Sequence, residues 1–408
     1  MRLGYINGLR ALAIISVIWH HLSFGILSKV SLDILWGTTL QPFPVLTELW
    51  KGVDLFFILS GFVLYLPFFL KKRQMTNRLD AKHFYIRRAQ RLIPIFILVF
   101  LVIYSIQHKY PVSSPRFYME LIGVPTLAFQ FSNLGFMPPS FGPLWSVGLE
   151  ILFSAIFPVV LLFRARYPWR WLLSGSLILS LAVQFSANFF VWRSLQQGLP
   201  AHLLNFLIGM VACEITLTPE AFPRVDAAIT KASPFFPAGM LIALLMLDVR
   251  GATAVHIAGN LLFSLSSGGL LVAIGTGRAK RLRAVLEVRW LQVIGAMCYS
   301  IYLWHVPILL GLFPGFPNIA WQDFVPYAPL YLALTLAISA LSYRYIEFPK
   351  ADFRTLFLIN APKAFPAAMD FVGSISKPQV IRADPAANSA QADHHVPDGR
   401  ISRSAAPS

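Results

Sequence analysis

The chain has 408 residues, a net charge of +16, 56% hydrophobic residues and only 13% charged ones. Soluble domains carry roughly 25% charged residues, so about half of the usual solvating surface is missing, which argues against the two or three soluble domains that length alone allows. The apolar excess also excludes a disordered chain. The two cysteines, Cys213 and Cys298, both stand in apolar runs, so neither a disulfide framework nor a thiolate metal cluster is expected.

Ten apolar stretches follow in chain order: Ile6–Leu27, Val53–Leu70, Leu92–Ile106, Leu144–Phe163, Trp171–Ala187, Leu203–Leu217, Phe235–Leu247, Val255–Ile274, Trp290–Phe313 and Ala328–Tyr345. Several approach the roughly 20 residues that cross about 30 Å of hydrocarbon. Leu92–Ile106 and Phe235–Leu247 are short, as tilted partners, re-entrant pieces or spans with wider true boundaries would be. The predicted fold is all-α, a polytopic membrane bundle of about ten transmembrane helices.

The basic residues orient this bundle. If the N-terminus is cytoplasmic, loops on its side hold Lys71, Lys72, Arg73, Arg78, Lys82, Arg87, Arg88 and Arg91, then Arg164, Arg166 and Arg170. Arg224, Lys231, Arg278, Lys280, Arg281, Arg283 and Arg289 follow on the same side. The opposite loops hold Lys29, Lys51, Lys109, Arg116, Arg193 and Arg250. That asymmetry places both termini in the cytoplasm. It also accounts for the positive charge through topology, so no nucleic-acid partner is expected and the lipid bilayer is. The first stretch carries Arg10, His20 and His21 and lacks a cleavage pattern, so it is expected to stay as a span. Residues 1–349 form the predicted membrane domain. Residues 350–408, rich in Ala, Pro, Ser and Asp, read as a disordered cytoplasmic tail.

An ionisable residue inside a span costs roughly 2.5–3.5 kcal/mol on insertion scales and usually marks a site. In the first span, Arg10 and His21 are eleven positions apart, which returns a helix to within about 20° of its starting direction. His20 falls about 80° off that stripe. Arg10 and His21, separated by roughly 16 Å along the axis, are expected to line one cavity. The alternative is a snorkelling arginine with two interfacial histidines.

Other polar residues follow along the chain. Asp54 opens the second span, either as a helix cap or as a functional group, and the pair Ser60-Gly61 lies within it. Arg87, Arg88 and Arg91 cluster at helical spacing before Pro94, suited either to phosphates or to anionic lipid headgroups. Glu150 follows Trp145-Ser146 in the fourth span and reads as a base, an arginine partner or a protonated acid. Cys298, Tyr302 and His305 share a face of the ninth span, with His305 either structural or functional. Arg344 and Glu347 are spaced for a structural ion pair. No metal signature, glycine-rich phosphate loop or nucleophile elbow is present; the pair His394-His395 stands alone in the tail.

Together, the segments GLRALA with its Arg10/His21 spacing, GVDLFFILSGF, RRAQRLIP, PLWSVGLE, YSIYLWH and SYRYIEFP resemble the acyltransferase-3 family of integral membrane acyltransferases, from about Tyr5 to Pro349. The resemblance implies a ten-helix domain, in a multi-pass protein of a bacterial inner membrane, that moves an acyl group, commonly acetyl from acetyl-CoA, to a hydroxyl of a carbohydrate or glycolipid. It implies catalytic roles for Arg10 and His21, donor binding by Arg87, Arg88 and Arg91, and an acidic role for Glu150. Two departures stand out. Asn7 replaces an aspartate common in the family, and Ile151 replaces a second carboxylate. The fused esterase-like domain of some members is not expected here.

On this reading His21 acts as general base or as nucleophile toward the acyl group. Arg10 binds donor phosphate or stabilises the thioester oxygen, and Glu150 orients the histidine. The stretch His108–Gly142 is the place to look for acceptor contacts. A secondary transporter or flippase, which also carries charges at mid-membrane, and a non-catalytic scaffold are the competing readings.

Overall fold

The computed structural model describes residues 4–25, 32–34, 38–40, 47–70, 78–107, 110–131, 141–186, 197–248, 253–316, 318–349 and 357. Nearly all of the tail predicted to be disordered, with His394 and His395, lies outside the described residues.

Each of the ten apolar stretches falls on helix. A segment surrounded by lipid must satisfy its backbone donors and acceptors internally, and a helix does so within one strand of chain. The elements are α1 Gly4–Gly25, a short antiparallel hairpin of β1 Leu32–Ile34 and β2 Thr38–Leu40, α2 Gly52–Phe69, α3 Arg78–Gln107, α4 Leu144–Arg166 and α5 Trp169–Ser186. There follow α6 Leu199–Leu217, α7 Pro223–Ala232, α8 Phe236–Asp248, α9 Thr253–Gly275, α10 Lys280–Leu286, α11 Arg289–Ala296, α12 Cys298–Leu312 and α13 Ala328–Ser342. A wide turn, Tyr343–Glu347, closes α13. The hairpin is a small departure from the all-helical expectation and lies between α1 and α2.

Among the described residues, seven helices are long and apolar enough to cross a membrane, and the pair α11–α12 makes an eighth candidate bent by 73° at Met297. The other two predicted spans correspond to α1, of 22 residues, and α5, of 18. The two stretches that looked short are parts of longer rods. Leu92–Ile106 is the outer half of the 30-residue α3, which begins in the basic segment. Phe235–Leu247 continues from α7 into one run, Pro223–Leu247. The chain is thus a multi-pass helical membrane bundle.

The centre of the bundle is the pair α2–α6, flanked by α1, α5 and α9. Two glycines bring these backbones together: a Cβ on Gly61 would lie 2.0 Å from the Phe206 carbonyl oxygen, and one on Gly209 would lie 1.9 Å from that of Ile58. Small residues at such crossings are what let membrane helices approach closely. The inner end of α1 is fixed in a similar way. A Cβ on Gly8 would meet the Leu286 carbonyl oxygen at 2.3 Å, and one on Gly295 would meet that of Asn7 at 1.8 Å. The buried Gln292 side chain donates to the carbonyls of Gly4 at 2.7 Å and Leu286 at 2.6 Å. These contacts set the rotation of α1 and therefore the direction in which Arg10 points.

Candidate active site

Helices α1, α2, α3, α4 and α12 line a partly open cavity. Its lining mixes the polar Arg10, Ser60, Arg91, Ser146 and Glu150 with Phe56, Phe57, Cys298, Tyr299 and Tyr302. A few convergent polar groups among apolar side chains are the ordinary lining of a small-molecule site.

The charges gather at one end. Arg10 is 7% exposed and stands in the field of Arg88, Arg91 and Glu150. Arg88 donates through Nη2 to Glu150 Oε1 at 2.8 Å and through Nε to Ser154 at 3.1 Å. Ser60 reaches the same Glu150 oxygen at 3.5 Å. Glu150 therefore serves as an arginine partner; it does not orient a histidine, because its carboxylate is taken up by Arg88. Arg87, one residue earlier, turns to the exposed face of α3. A 100° step around the helix separates it from Arg88, so only Arg88 and Arg91 of the expected trio reach the interior.

Glu347 joins this cluster from the turn after α13. Its Oε1 accepts a hydrogen bond from Ser300 Oγ, and Arg91 lies within its field. The expected Arg344–Glu347 ion pair does not form: Arg344 donates to the carbonyls of Phe348 at 3.3 Å and Pro349 at 2.9 Å. The wide turn there breaks the i,i+3 geometry on which the expectation rested. Arg91 Nε and Glu347 Oε2 are both buried without a hydrogen-bond partner.

The histidines occupy the other end. His21 is not part of the cavity wall, a correction to the expectation that it lines one chamber with Arg10. Its ring packs edge-on against His305, with centroids 4.9 Å apart and Nδ1 3.4 Å from His305 Nε2. Tyr302, one turn before His305 on α12, returns to the cavity, where its hydroxyl accepts from Ser146 Oγ at 2.6 Å. His20 turns elsewhere, placing Nδ1 against the Thr47 carbonyl. His21 thus touches the cavity lining only indirectly, through His305, whose ring lies 5.6 Å from that of Tyr302.

Two further polar networks contain residues that the sequence reading passed over. Asp54 is held by Lys51 at 2.5 Å, His202 at 3.0 Å and Asn205 at 2.9 Å, and Ser264 extends the network from α9 through Asn205 at 2.6 Å. Asp54 is therefore an ion-pair centre, with Trp145 stacked obliquely on His202 at 5.5 Å. On α6, Glu214 accepts from Arg164 at 3.1 and 3.0 Å, from Trp169 at 2.9 Å and from Tyr65 at 2.5 Å. The rule that singles out Glu150, an ionisable group inside a span, also applies to Glu214. Lys51, His202 and Asn205 acquire their meaning only once α2 and α6 are packed. Among the described residues no set of three or more His, Cys, Asp or Glu side chains is arranged to hold a metal ion.

Comparison with known proteins agrees with this architecture. Over 382 residues the chain is 28% identical to the peptidoglycan O-acetyltransferase OatA of Listeria monocytogenes, covering 84% of this chain and 55% of that protein. It is 24% identical over 382 residues to the O-acetyltransferase OatA of Staphylococcus aureus (strain MRSA252), covering 88% and 59% respectively. The chain therefore matches only a little over half the length of these relatives. No solved structure matches. A family profile described as an acyltransferase domain spans residues 3–344, and the chain belongs to this acyltransferase-3 family.

Proposed function

We propose that the protein is a membrane O-acyltransferase of a bacterial inner membrane. It would move an acetyl group from a cytoplasmic acyl-CoA to a hydroxyl of an extracytoplasmic carbohydrate, either a cell-wall glycan or a glycolipid. The observation that carries this reading is the polarity of the site along the bundle. Arg10 and Arg91 line the cavity, with Arg88 paired to its Glu150, near the N-terminal part of α1, and His21, towards the other end of that helix, packs on His305 of α12.

The chemistry follows from that separation. Guanidinium groups bind phosphates well, and Arg10, Arg88 and Arg91 suit the phosphates of a donor whose thioester lies at the end of a long arm. His21 is roughly 16 Å further along the axis, where a hydroxyl arriving from outside meets the thioester. The acceptor oxygen attacks the carbonyl carbon while the His21 imidazole takes its proton. The carbon–sulfur bond breaks, and the imidazolium returns the proton to the departing thiolate. Both termini are assigned to the cytoplasm in this scheme, consistent with the basic loops. Contacts with the acceptor fall to the 110–131 connection among the described residues.

The test uses membranes carrying the full chain, radiolabelled acetyl-CoA and candidate glycans. Wild type is expected to label a glycan, His21→Ala to abolish transfer, and His20→Ala to be much milder because that ring is engaged with Thr47. Unchanged transfer in His21→Ala membranes would remove the assigned base. Substrate movement into vesicles without any acyl donor, and with no acetylated product, would favour a transporter instead.

A further inference from the structure

The two buried imidazoles determine each other's hydrogens. His305 has no exposed surface, and its Nδ1 lies 2.6 Å from the carbonyl oxygen of Tyr302. A carbonyl oxygen can only accept, so Nδ1 carries the hydrogen and Nε2 of the neutral ring keeps its lone pair. His21 repeats the arrangement, with Nδ1 2.9 Å from the carbonyl oxygen of Val17. Its Nδ1–H is therefore directed at that carbonyl, and the same atom stands 3.4 Å from the lone pair of His305 Nε2. One hydrogen is shared between a carbonyl and a second imidazole. The nitrogen of His21 left with a lone pair is Nε2.

We propose that His305 is a positioning residue for the reaction: where the Val17 carbonyl already fixes the Nδ1–H tautomer of His21, His305 accepts from the same hydrogen, holds the ring with Nε2 free for the acceptor's proton, and shares the positive charge that then appears. In many enzymes a carboxylate fills this place. Among the described residues no carboxylate is hydrogen-bonded to either ring. The groups facing the pair are the ring of His20, 5.2 Å from that of His21, and the ring of Tyr302, 5.6 Å from that of His305. A neutral second imidazole suits an apolar setting, because it accepts a hydrogen bond without adding a charge that the lipid-facing bundle would have to balance. When His21 gains its proton, both of its Nδ1 contacts become charge-assisted and strengthen. No proton has to leave the pair before it returns to the leaving thiolate.

This inference rests on the reading of His21 as the base, so its test has a readout independent of turnover. In the full chain, His305→Leu should lower kcat by about 10- to 100-fold while leaving KM for both substrates unchanged. His305→Gln, whose amide oxygen can accept the Nδ1 hydrogen, should recover most of the loss. Solid-state NMR of the protein with 15N-labelled histidine, in lipid bilayers, should show His21 protonated at Nδ1 and bare at Nε2 in wild type, and in His305→Leu the same tautomer with its Nδ1 resonance shifted by the loss of the second acceptor. Wild-type kcat in His305→Leu, equal losses in the Leu and Gln variants, or a His21 hydrogen on Nε2 in wild type would each overturn the proposal. Should His305→Leu fail to accumulate, the wild-type spectrum and the Gln variant decide. Should His21→Ala retain transfer, the base assignment fails while the tautomer spectrum still stands or falls by itself.

Discussion

Two carboxylates lie deep in this bundle with arginines beside them, and they differ in one respect. Around Glu214 every valence is met: each carboxylate oxygen accepts two hydrogen bonds, from Arg164 and Tyr65 on one side and from Arg164 and Trp169 on the other. Around Glu347 and Arg91 the network is open, with one atom on each left without a partner although both are buried. Buried polar groups are nearly always hydrogen-bonded in a finished structure. A closed network rigidifies a fold, whereas an open one beside a cavity is where a polar ligand gains most by arriving. The first region is a fastening and the second keeps spare hydrogen-bonding capacity, and burial alone does not separate them.

The largest expected effect comes from breaking the closed network. Glu214→Ala leaves the Arg164 guanidinium and two buried donors without their acceptor, and removing one partner of such a pair costs about 3–5 kcal/mol. Thermal unfolding in detergent should show a large drop in midpoint, or the protein should fail to accumulate; a normal midpoint would undo the contrast. Next is Arg10→Ala, which should reduce acetyl transfer by about 100-fold with an unchanged or raised unfolding midpoint, since a buried charge is removed from an open network. Loss of stability comparable to that of Glu214→Ala would make the cavity charges structural. Arg87→Ala sharpens the same contrast from the other side. Its side chain is on the exposed face of α3, so stability should change by no more than about 0.5 kcal/mol, and the donor KM should stay where it was.

Much of this was legible before folding. Long apolar runs had to become helices, and the eleven-residue interval did set Arg10 and His21 on one side of α1 and His20 off it. The pattern of period 3.6 cannot say where a helix begins. The inner half of α3 therefore looked like a loop, and the 73° bend at Met297 was hidden inside a continuous apolar run. Pairings across the bundle were the least visible. Glu150 meets Arg88 at a separation of 62 residues, and Asp54 meets His202 at 148, so nothing local announces them. The wide turn at Tyr343–Glu347 misled for a different reason. The spacing rule for Arg344 and Glu347 assumes an ordinary helical turn, and this turn is wider than that.

The glycine contacts at the centre carry a mechanical consequence. Where Gly61 and Gly209 let two main chains touch, neither rod can rotate or ratchet past the other without a carbonyl striking an α-carbon. The α2 side of the chamber, with Ser60 and Phe57, is thus a stationary anvil. Any widening of the chamber must therefore be supplied by displacement of α1, α3, α4 or α12.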